Sequence, residues 1–358
     1  MSRLFQKMIL LFCLILTWGF VHAQDVSSKD GILLQFKSKP GKVSNSRMMM
    51  IGNGTLSLSL KNPENTEKPF SIETSLPVDF SLEMYFAETT QNVDENGNIA
   101  LDVVLSSINM NLGMMNQSFN MQWDGQETQV LMNNQPMVQH GMDTVLQDKL
   151  KGLNKPIQMV ISPRGKILSI KNPYLDDESL KDNPFAKMMR PFIENQSSPI
   201  YPENPIQPGD SWSVTTRFNL PEGFENYLHL SKPLEFITEY QAEKVEYEKG
   251  GKLLTLTQKS NNNFSNSTIQ FGKIPMPSDA KDSAFSNLFE NISILLNEAV
   301  LKQEGVMKIN VSNGNLVNAQ SENIINISIS VNLKKQDNDM PEIKLKGSLK
   351  LFTKIENI

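Results

Sequence analysis

Apolar and polar residues alternate with a period of two through most of this chain. The pattern is clearest in TLSLSL at 55–60, ISISVNL at 327–333 and IKLKGSLKL at 343–351. Successive side chains of a strand point to opposite faces, so such segments turn one face to a core and the other to water. Turn signals such as NG at 96–97 and 313–314 separate them. Since no regular βαβ order is present, the sequence predicts a mainly β protein with curved antiparallel sheets.

Helical periodicity is restricted to three stretches, at residues 143–153, about 177–194 and 282–302. The first and third open on Asp143 and Asp282, residues that suit a helix N-cap. Apolar residues in each stretch recur at intervals of three and four, which is typical of one face of a helix. We therefore expect a few helices packed against the sheets.

Weak internal similarity indicates two related units. The segment 85–88 (YFAE) recurs at 240–243 (YQAE), and the predicted hairpin at 157–168 recurs at 306–317. Matches in the same order at similar separations favour a duplicated unit over chance. The predicted organisation is a signal peptide at 1–23, a first β-rich unit at 24–172, a linker with a short helix at 173–204, and a second β-rich unit at 205–358.

The first 23 residues have the three parts of a secretory signal peptide. Arg3 and Lys7 precede an apolar run from Met8 to Phe20, and Ala23 suits cleavage before Gln24. A membrane anchor and a lipoprotein signal ending at Cys13 are the alternatives left open. We expect an exported protein, periplasmic or extracellular, and peripheral association with the outer membrane is compatible with this.

Removing the signal peptide leaves no cysteine, two histidines (His140 and His229), and 32 Lys+Arg against 39 Asp+Glu. Disulfides and thiol chemistry are then excluded, and no setting for a catalytic triad is recognisable. With no block of basic residues, nucleic acid is not an expected partner. No later apolar run reaches 18 residues, so no transmembrane segment is expected in the mature chain. The sequence predicts no cofactor and no catalytic residues.

The phrase Pro208-Gly-Asp-Ser-Trp212, with PRGKIL at 163–168 upstream, carries a family resemblance. It resembles an uncharacterised family, a domain of unknown function, of exported β-rich bacterial proteins. A weaker, architectural likeness is to the half-barrel of the lipoprotein carriers of the bacterial envelope. The resemblance implies no activity and no catalytic residues. In physical terms, Pro208 and Gly209 suit a turn and Trp212 suits the core-facing start of a strand.

Methionine is concentrated in one part of the chain. Nine of the 19 methionines lie between positions 84 and 159, and three more form Met48 to Met50. Because methionine is flexible and polarizable, it suits an irregular core and equally the lining of an apolar cavity. A third interpretation is a copper(I) site, for which Met137, His140 and Met142 offer two thioethers and an imidazole.

These observations favour an exported, non-enzymatic protein of the cell envelope that binds an apolar ligand such as lipid. The alternative is a protein-interaction or scaffolding module whose partner is another envelope protein. Copper(I) binding and a hydrolase built on two carboxylates roughly 5–10 Å apart are further alternatives.

Overall fold

A computed structural model of the chain describes residues 27–28, 31–61, 71–114, 117–136, 155–171, 200–218, 228–231, 234–248, 251–271, 292–311, 316–333 and 342–358. The strands are β1 (Ser27–Ser28), β2 (Gly31–Ile32), β3 (Val43–Lys61), β4 (Ser71–Val93), β5 (Ile99–Met114), β6 (Gln117–Trp123), β7 (Thr128–Met132), β8 (Gln135–Pro136), β9 (Ile157–Ile161), β10 (Ile167–Lys171), β11 (Ser211–Phe218), β12 (Leu228–Leu230), β13 (Leu234–Glu248), β14 (Gly251–Asn263), β15 (Ser267–Phe271), β16 (Ile292–Asn310), β17 (Leu316–Leu333) and β18 (Glu342–Asn357).

The described residues contain strands and turns and no helix, so the prediction of a few packed helices is wrong where it can be compared. Residues 292–302 of the third predicted helix lie in β16, which pairs with β17 along nearly its whole length. That pairing overrides the weak helical period, since alternation and helical spacing overlap in a short apolar run. The helices predicted at 143–153 and about 177–194 lie outside the described residues. No helix capable of spanning a membrane is found in the described ranges.

The large antiparallel sheet that the alternation predicts is confirmed. Its strand order is β11-β13-β14-β16-β17-β18-β3-β4-β5-β6-β7-β8, with β9 and β10 added beside β5, and β12 and β15 added beside β16. All the strand pairs are antiparallel, as expected of a meander joined by hairpins. The C-terminal strand β18 lies between β17 and β3, so it joins the two ends of the chain within one sheet.

Two sets of five strands share one hydrogen-bonding register. The first set is β3-β4-β5-β9-β10, and the second is β11-β13-β14-β16-β17. Five pairs of residues that lie opposite each other in the first set have matching pairs in the second set. The matches are Ser44–Glu88 with Trp212–Tyr240; Thr90–Leu101 with Ala242–Leu256; Val93–Ile99 with Val245–Leu254; Ile99–Ile161 with Leu254–Ile309; and Ile161–Ile167 with Ile309–Leu316. Residues at the same place in this register are called equivalent below.

Two β-bulges fall at equivalent places in the two sets. One bulge lies between Thr90 and Asn92 in the first set and between Ala242 and Lys244 in the second. A second follows the pair formed by Ile167 in the first set and by Leu316 in the second. Because a bulge shifts every later side chain to the other face, coincident bulges keep the same face inward in both sets.

A Pro-Gly turn precedes the first strand of each set. Gly41 and Gly209 both have positive φ, at 79° and 99°, the region that favours glycine. The Gly41 amide donates to the carbonyl of Thr90 (2.8 Å), and the Gly209 amide donates to the equivalent carbonyl of Ala242 (2.6 Å). The Pro-Gly phrase that begins the second half therefore has a counterpart at Pro40-Gly41.

Two related units, with the boundaries given above, remain a prediction. The register changes one detail of the proposed alignment. Tyr240 is equivalent to Glu88 and not to Tyr85, because the two sets match with a smaller offset in this strand than the sequence similarity indicates.

The sheet curls so that distant strands meet at one end, called the closed end below. Strands β5 and β14 are six positions apart in the strand order, about 29 Å in a flat sheet. Even so, one buried cluster contains residues of both strands together with residues of two segments outside the large sheet. Its members include Ile99, Leu101, Leu254, Leu256, Ile161, Ile309, and Ile32, Leu34, Phe36, Tyr201 and Ile206 from residues 31–36 and 200–206.

Candidate functional site

The inner face of the sheet is the face that bears the closed-end core. Farther along the strands, this face carries aliphatic residues on five neighbouring strands, and we call this region the apolar wall. Its members are Ile294, Leu296, Ala299, Leu301 (β16); Ile325, Ile327, Ile329, Val331 (β17); Ile343, Leu345, Leu349 (β18); Leu56, Leu58, Leu60 (β3); and Ile72, Leu76, Val78 (β4).

Strand register aligns the wall residues in rows, which are interrupted at Gly347, Gly54 and Thr74. Leu296 lies opposite Ile329, which lies opposite Leu345, which lies opposite Leu58. The wall residues are neither fully buried nor fully exposed, except for Ile72, which is 52% exposed. On the opposite face the same strands carry residues such as Ser57 and the lysines of β18. The alternation thus produces a sheet with one aliphatic face and one polar face.

Methionines form a separate cluster on the inner face of the first set. Met48, Met50, Met84, Met110 and Met121 pack together with Leu82, Phe86, Ile108, Trp123 and Val130. Met48, Met50 and Met84 are 0% exposed, so no water-sized space lies beside them. For these side chains, ordinary core packing is the interpretation that fits, and an open cavity does not.

The predicted copper(I) ligands Met137, His140 and Met142 lie outside the described residues. Within the described part of the chain, no group of three or more His, Cys, Asp or Glu side chains is placed to hold a metal ion.

Between the closed-end core and the apolar wall, the inner face of β14, β16, β17 and β18 turns polar. We call this region the polar band. Its members are Gln258, Ser260, Asn262, Gln303, Gly305, Ser321, Asn323 and Thr353, which the register places in adjoining rows. Five of these residues are buried. Asn262 is 5% exposed, Ser321 and Asn323 are 9% exposed, and Ser260 and Thr353 lie between these values.

Hydrogen bonding within the polar band is incomplete. The Asn323 side-chain amide donates to the Ser321 hydroxyl at 3.3 Å and to the Thr353 hydroxyl at 3.5 Å, both long for such bonds. The Asn262 amide oxygen accepts from the Ile237 backbone (2.8 Å). The Ser260 hydroxyl is buried without a hydrogen-bond partner among the described residues. Buried polar groups normally have a partner, so this hydroxyl is available to one.

A single buried carboxyl group, that of Glu88, lies on the inner face of the first set, judged over the described residues. Burial raises the pKa of Glu88 to about 7, and the nearby positive charge of Lys42 opposes that rise. Burial also lowers the pKa of Lys42. The pair places a carboxyl that titrates near neutral pH beside the apolar clusters.

At the equivalent place in the second set stand two aromatic side chains. Trp212 occupies the position of Ser44, and Tyr240 that of Glu88. Their rings stack with centroids 5.5 Å apart and planes 15° apart. The Trp212 indole nitrogen donates to the Ile200 carbonyl (2.9 Å), which anchors segment 200–206 to the sheet. This agrees with the structural role that the sequence suggests for Trp212.

Sequence reasoning missed both Glu88 and the polar band. Nothing in the alternation distinguishes Glu88 from an exposed acid, because its burial depends on strands distant in sequence. The polar band had a usable signal. In β14 the alternation LTLT at 254–257 stops at Gln258, and every residue from there to Asn263 is polar or charged.

Comparison with known proteins assigns neither a family nor an activity. No family model matches the chain, and no curated protein matches its sequence. Solved structures with some similarity include Salmonella typhi OmpF in complex with daunomycin (TM-score 0.21, 6% identity, covering 89% of this chain and 100% of that one). Another is the Pseudomonas putida toluene transporter TodX (TM-score 0.15, 9% identity, covering 88% of this chain and 90% of that one). A third is the outer membrane protein opdK of Pseudomonas aeruginosa (TM-score 0.15, 6% identity, covering 86% of this chain and 98% of that one). TM-scores this low identify no common fold.

Proposed function

We propose that this protein is exported to the bacterial cell envelope and binds the acyl chains of a lipid on the apolar wall. The observation that carries the proposal is the aliphatic surface that spans β16, β17, β18 and β3 and extends onto β4, partly exposed and backed by a mostly polar outer face. Contiguous exposed apolar surface of this kind marks a binding surface, because isolated apolar residues are common on proteins but large patches are not.

The size of the apolar wall suits an acyl chain. Five strands spaced about 4.8 Å apart, with four rows of side chains about 6.7 Å apart, give a surface of roughly 20 by 20 Å. Each methylene group taken out of water contributes about 0.8 kcal/mol. Contact with ten methylene groups would therefore supply about 8 kcal/mol before the entropic cost of binding.

The N-terminal segment supports the location. Residues 1–23 have the sequence of a signal peptide, and a protein that binds lipid in the envelope must first be exported. The polar outer face, with Lys346 and Ser348 exposed, would keep the loaded sheet in contact with water.

The experiment starts from the full chain, exported in a bacterial host and purified without detergent. Mass spectrometry of an organic extract should detect bound lipid, and the delipidated protein should bind methyl oleate. Leu58→Glu places a charge in the middle of the apolar wall and should weaken methyl oleate binding at least 10-fold, since burying a carboxylate in an apolar contact is costly.

Ser57→Glu is the matched control, because it places the same charge one residue away on the outer face, opposite Lys346. It should leave methyl oleate binding unchanged. Absence of lipid in the extract together with no binding of methyl oleate would contradict the proposal. Chemical crosslinking to an envelope protein through the apolar wall would then favour the interaction-module alternative.

A further inference from the structure

The polar band adjoins the apolar wall without a gap. Asn262 lies directly opposite Leu301 of the wall, and Asn323 lies two residues from Ile325 along β17. On its other side the band meets the methionine cluster, since Thr353 lies opposite Met50. A molecule lying along the inner face would thus contact aliphatic side chains over one part of its length and hydrogen-bonding side chains over the next.

We propose that the polar band binds the uncharged, hydrogen-bonding head group of an amphiphile whose chain lies on the apolar wall. This inference rests on the proposed function and names the class of lipid: one whose head group carries hydroxyl or amide groups and no net charge, such as a monoacylglycerol.

The chemistry of the polar band selects for an uncharged head group. Its side chains are hydroxyls and carboxamides, which both donate and accept hydrogen bonds but carry no charge. The neighbouring lysines of β18, such as Lys350 and Lys354, alternate with Leu351 and Thr353 and therefore belong to the outer face. A buried anion without a positive partner would be strongly disfavoured on the inner face.

Comparison of the two strand sets indicates that the fold does not require polar residues here. Gln258 and Ser260 are equivalent to Val103 and Leu105, which face inward at the same register. Because the first set fills these places with aliphatic side chains, the polar residues of the second set are not a condition of the strand pairing.

Two local features fit a binding role. The Ser260 hydroxyl, 8% exposed, has no partner among the described residues and would gain one from a ligand. The Gln258 amide lies across Gly305, where an added Cβ would come within 2.8 Å of its nitrogen. The added Cβ would also come within 2.7 Å of the Gln320 backbone oxygen, so the absence of a side chain at Gly305 leaves room for the Gln258 amide in the band.

The test compares three probes that share the same acyl chain and differ in the head group. Monoolein has a glycerol head group, methyl oleate has no hydrogen-bond donor, and oleate carries a negative charge. Dissociation constants for the full delipidated chain should favour monoolein by about 10-fold over the other two. Ser260→Ala should weaken monoolein binding by roughly 5-fold, the equivalent of one hydrogen bond, and leave methyl oleate unaffected. Removing a buried hydroxyl without a partner should also raise the Tm by about 2 °C.

A purely structural role for Ser260 predicts the stability change without the change in probe preference. Ser348→Ala, on the outer face, is the control for binding and should leave the probe preference unchanged. The double variant Gln258→Val/Ser260→Leu copies the side chains of the first set and should bind monoolein and methyl oleate equally. If that variant does not fold, Ser260→Ala carries the test.

Equal affinity of the wild-type chain for monoolein and methyl oleate would overturn the head-group site and leave the proposed function standing. The same holds if Ser260→Ala preserves the preference for monoolein. If none of the three probes binds, the proposed function fails and this inference fails with it.

Discussion

The two five-strand sets share their register near the closed end and two bulge positions, yet they place different chemistry on the inner face. Where the first set has Val103 and Leu105, the second has Gln258 and Ser260; where the second stacks Tyr240 on Trp212, the first buries Glu88. The backbone arrangement therefore depends on alternation and bulge position, while individual inner positions are free to differ. Positions where the two sets agree report on the fold, and positions where they differ are candidates for function.

The largest expected effect tests whether the two sets contribute equally to the stability of the core at the closed end. Ile99 and Leu254 are equivalent and both are 0% exposed. Replacing either with alanine should lower the free energy of unfolding by about 3 kcal/mol, through lost apolar contact and the cavity left behind. Urea unfolding of Ile99→Ala and Leu254→Ala provides the measurement. A loss confined to one variant would show that the two sets contribute unequally to the core.

The next effect concerns the place where the sets differ most, Glu88 against Tyr240. The folded-state pKa of Glu88, about 7, lies above its ordinary value of 4.5. Its protonated form is therefore favoured by folding, and stability is lost as pH rises from about 4.5 to 7. Glu88→Gln should remove this loss, which amounts to about 3 kcal/mol above pH 7, and should have little effect below pH 4.5.

Thermal unfolding of wild-type protein and Glu88→Gln between pH 4 and pH 8 tests this expectation. The difference between the two Tm values should widen as pH rises. Glu243→Gln, an exposed residue at the bulge of the second set, serves as the control and should show no such trend. A Glu88→Gln difference that is the same at pH 4 and pH 8 would mean that Glu88 is not held protonated by the fold.

The smallest effect tests the matched Pro-Gly turns. Gly41 and Gly209 have positive φ, and an added Cβ at either would meet no atom within 4 Å. Alanine at either position should therefore cost only the backbone strain, about 1 kcal/mol, and the two costs should be similar. Chemical denaturation of Gly41→Ala and Gly209→Ala measures both. A cost several-fold larger at one turn would indicate that the two turns are not equivalent.

Several parts of the fold could be predicted from sequence because they depend on local pattern. Alternation at 55–60 and 343–351 identifies strands with one apolar face, and those strands are confirmed. The helix predicted over 282–302 is wrong at 292–302 because short apolar runs satisfy both periods, and pairing with β17 decides between them. The methionine count predicted an apolar cluster, but burial alone distinguished a filled core from a cavity.

The candidate site is harder to predict because it is made by register and curvature. Gln258 and Thr353 belong to strands about a hundred residues apart, and only the pairing of β14, β16, β17 and β18 brings them to one face. Glu88 is likewise placed by strand pairing, between Ser44 of β3 and Val103 of β5. The position of these side chains follows from contacts between segments that are distant in sequence. The pattern of adjacent residues in the sequence does not specify those contacts.

The sequence by itself determined that the chain forms antiparallel strands with one apolar and one polar face, since side-chain direction alternates in any strand. It also determined the turn at Pro208-Gly209, because glycine tolerates positive φ. Only the tertiary structure decided which strands neighbour each other, where the bulges fall, and that β18 joins the C-terminus to the first half. These choices depend on the summed free energy of long-range pairing and core packing, to which each residue contributes little alone.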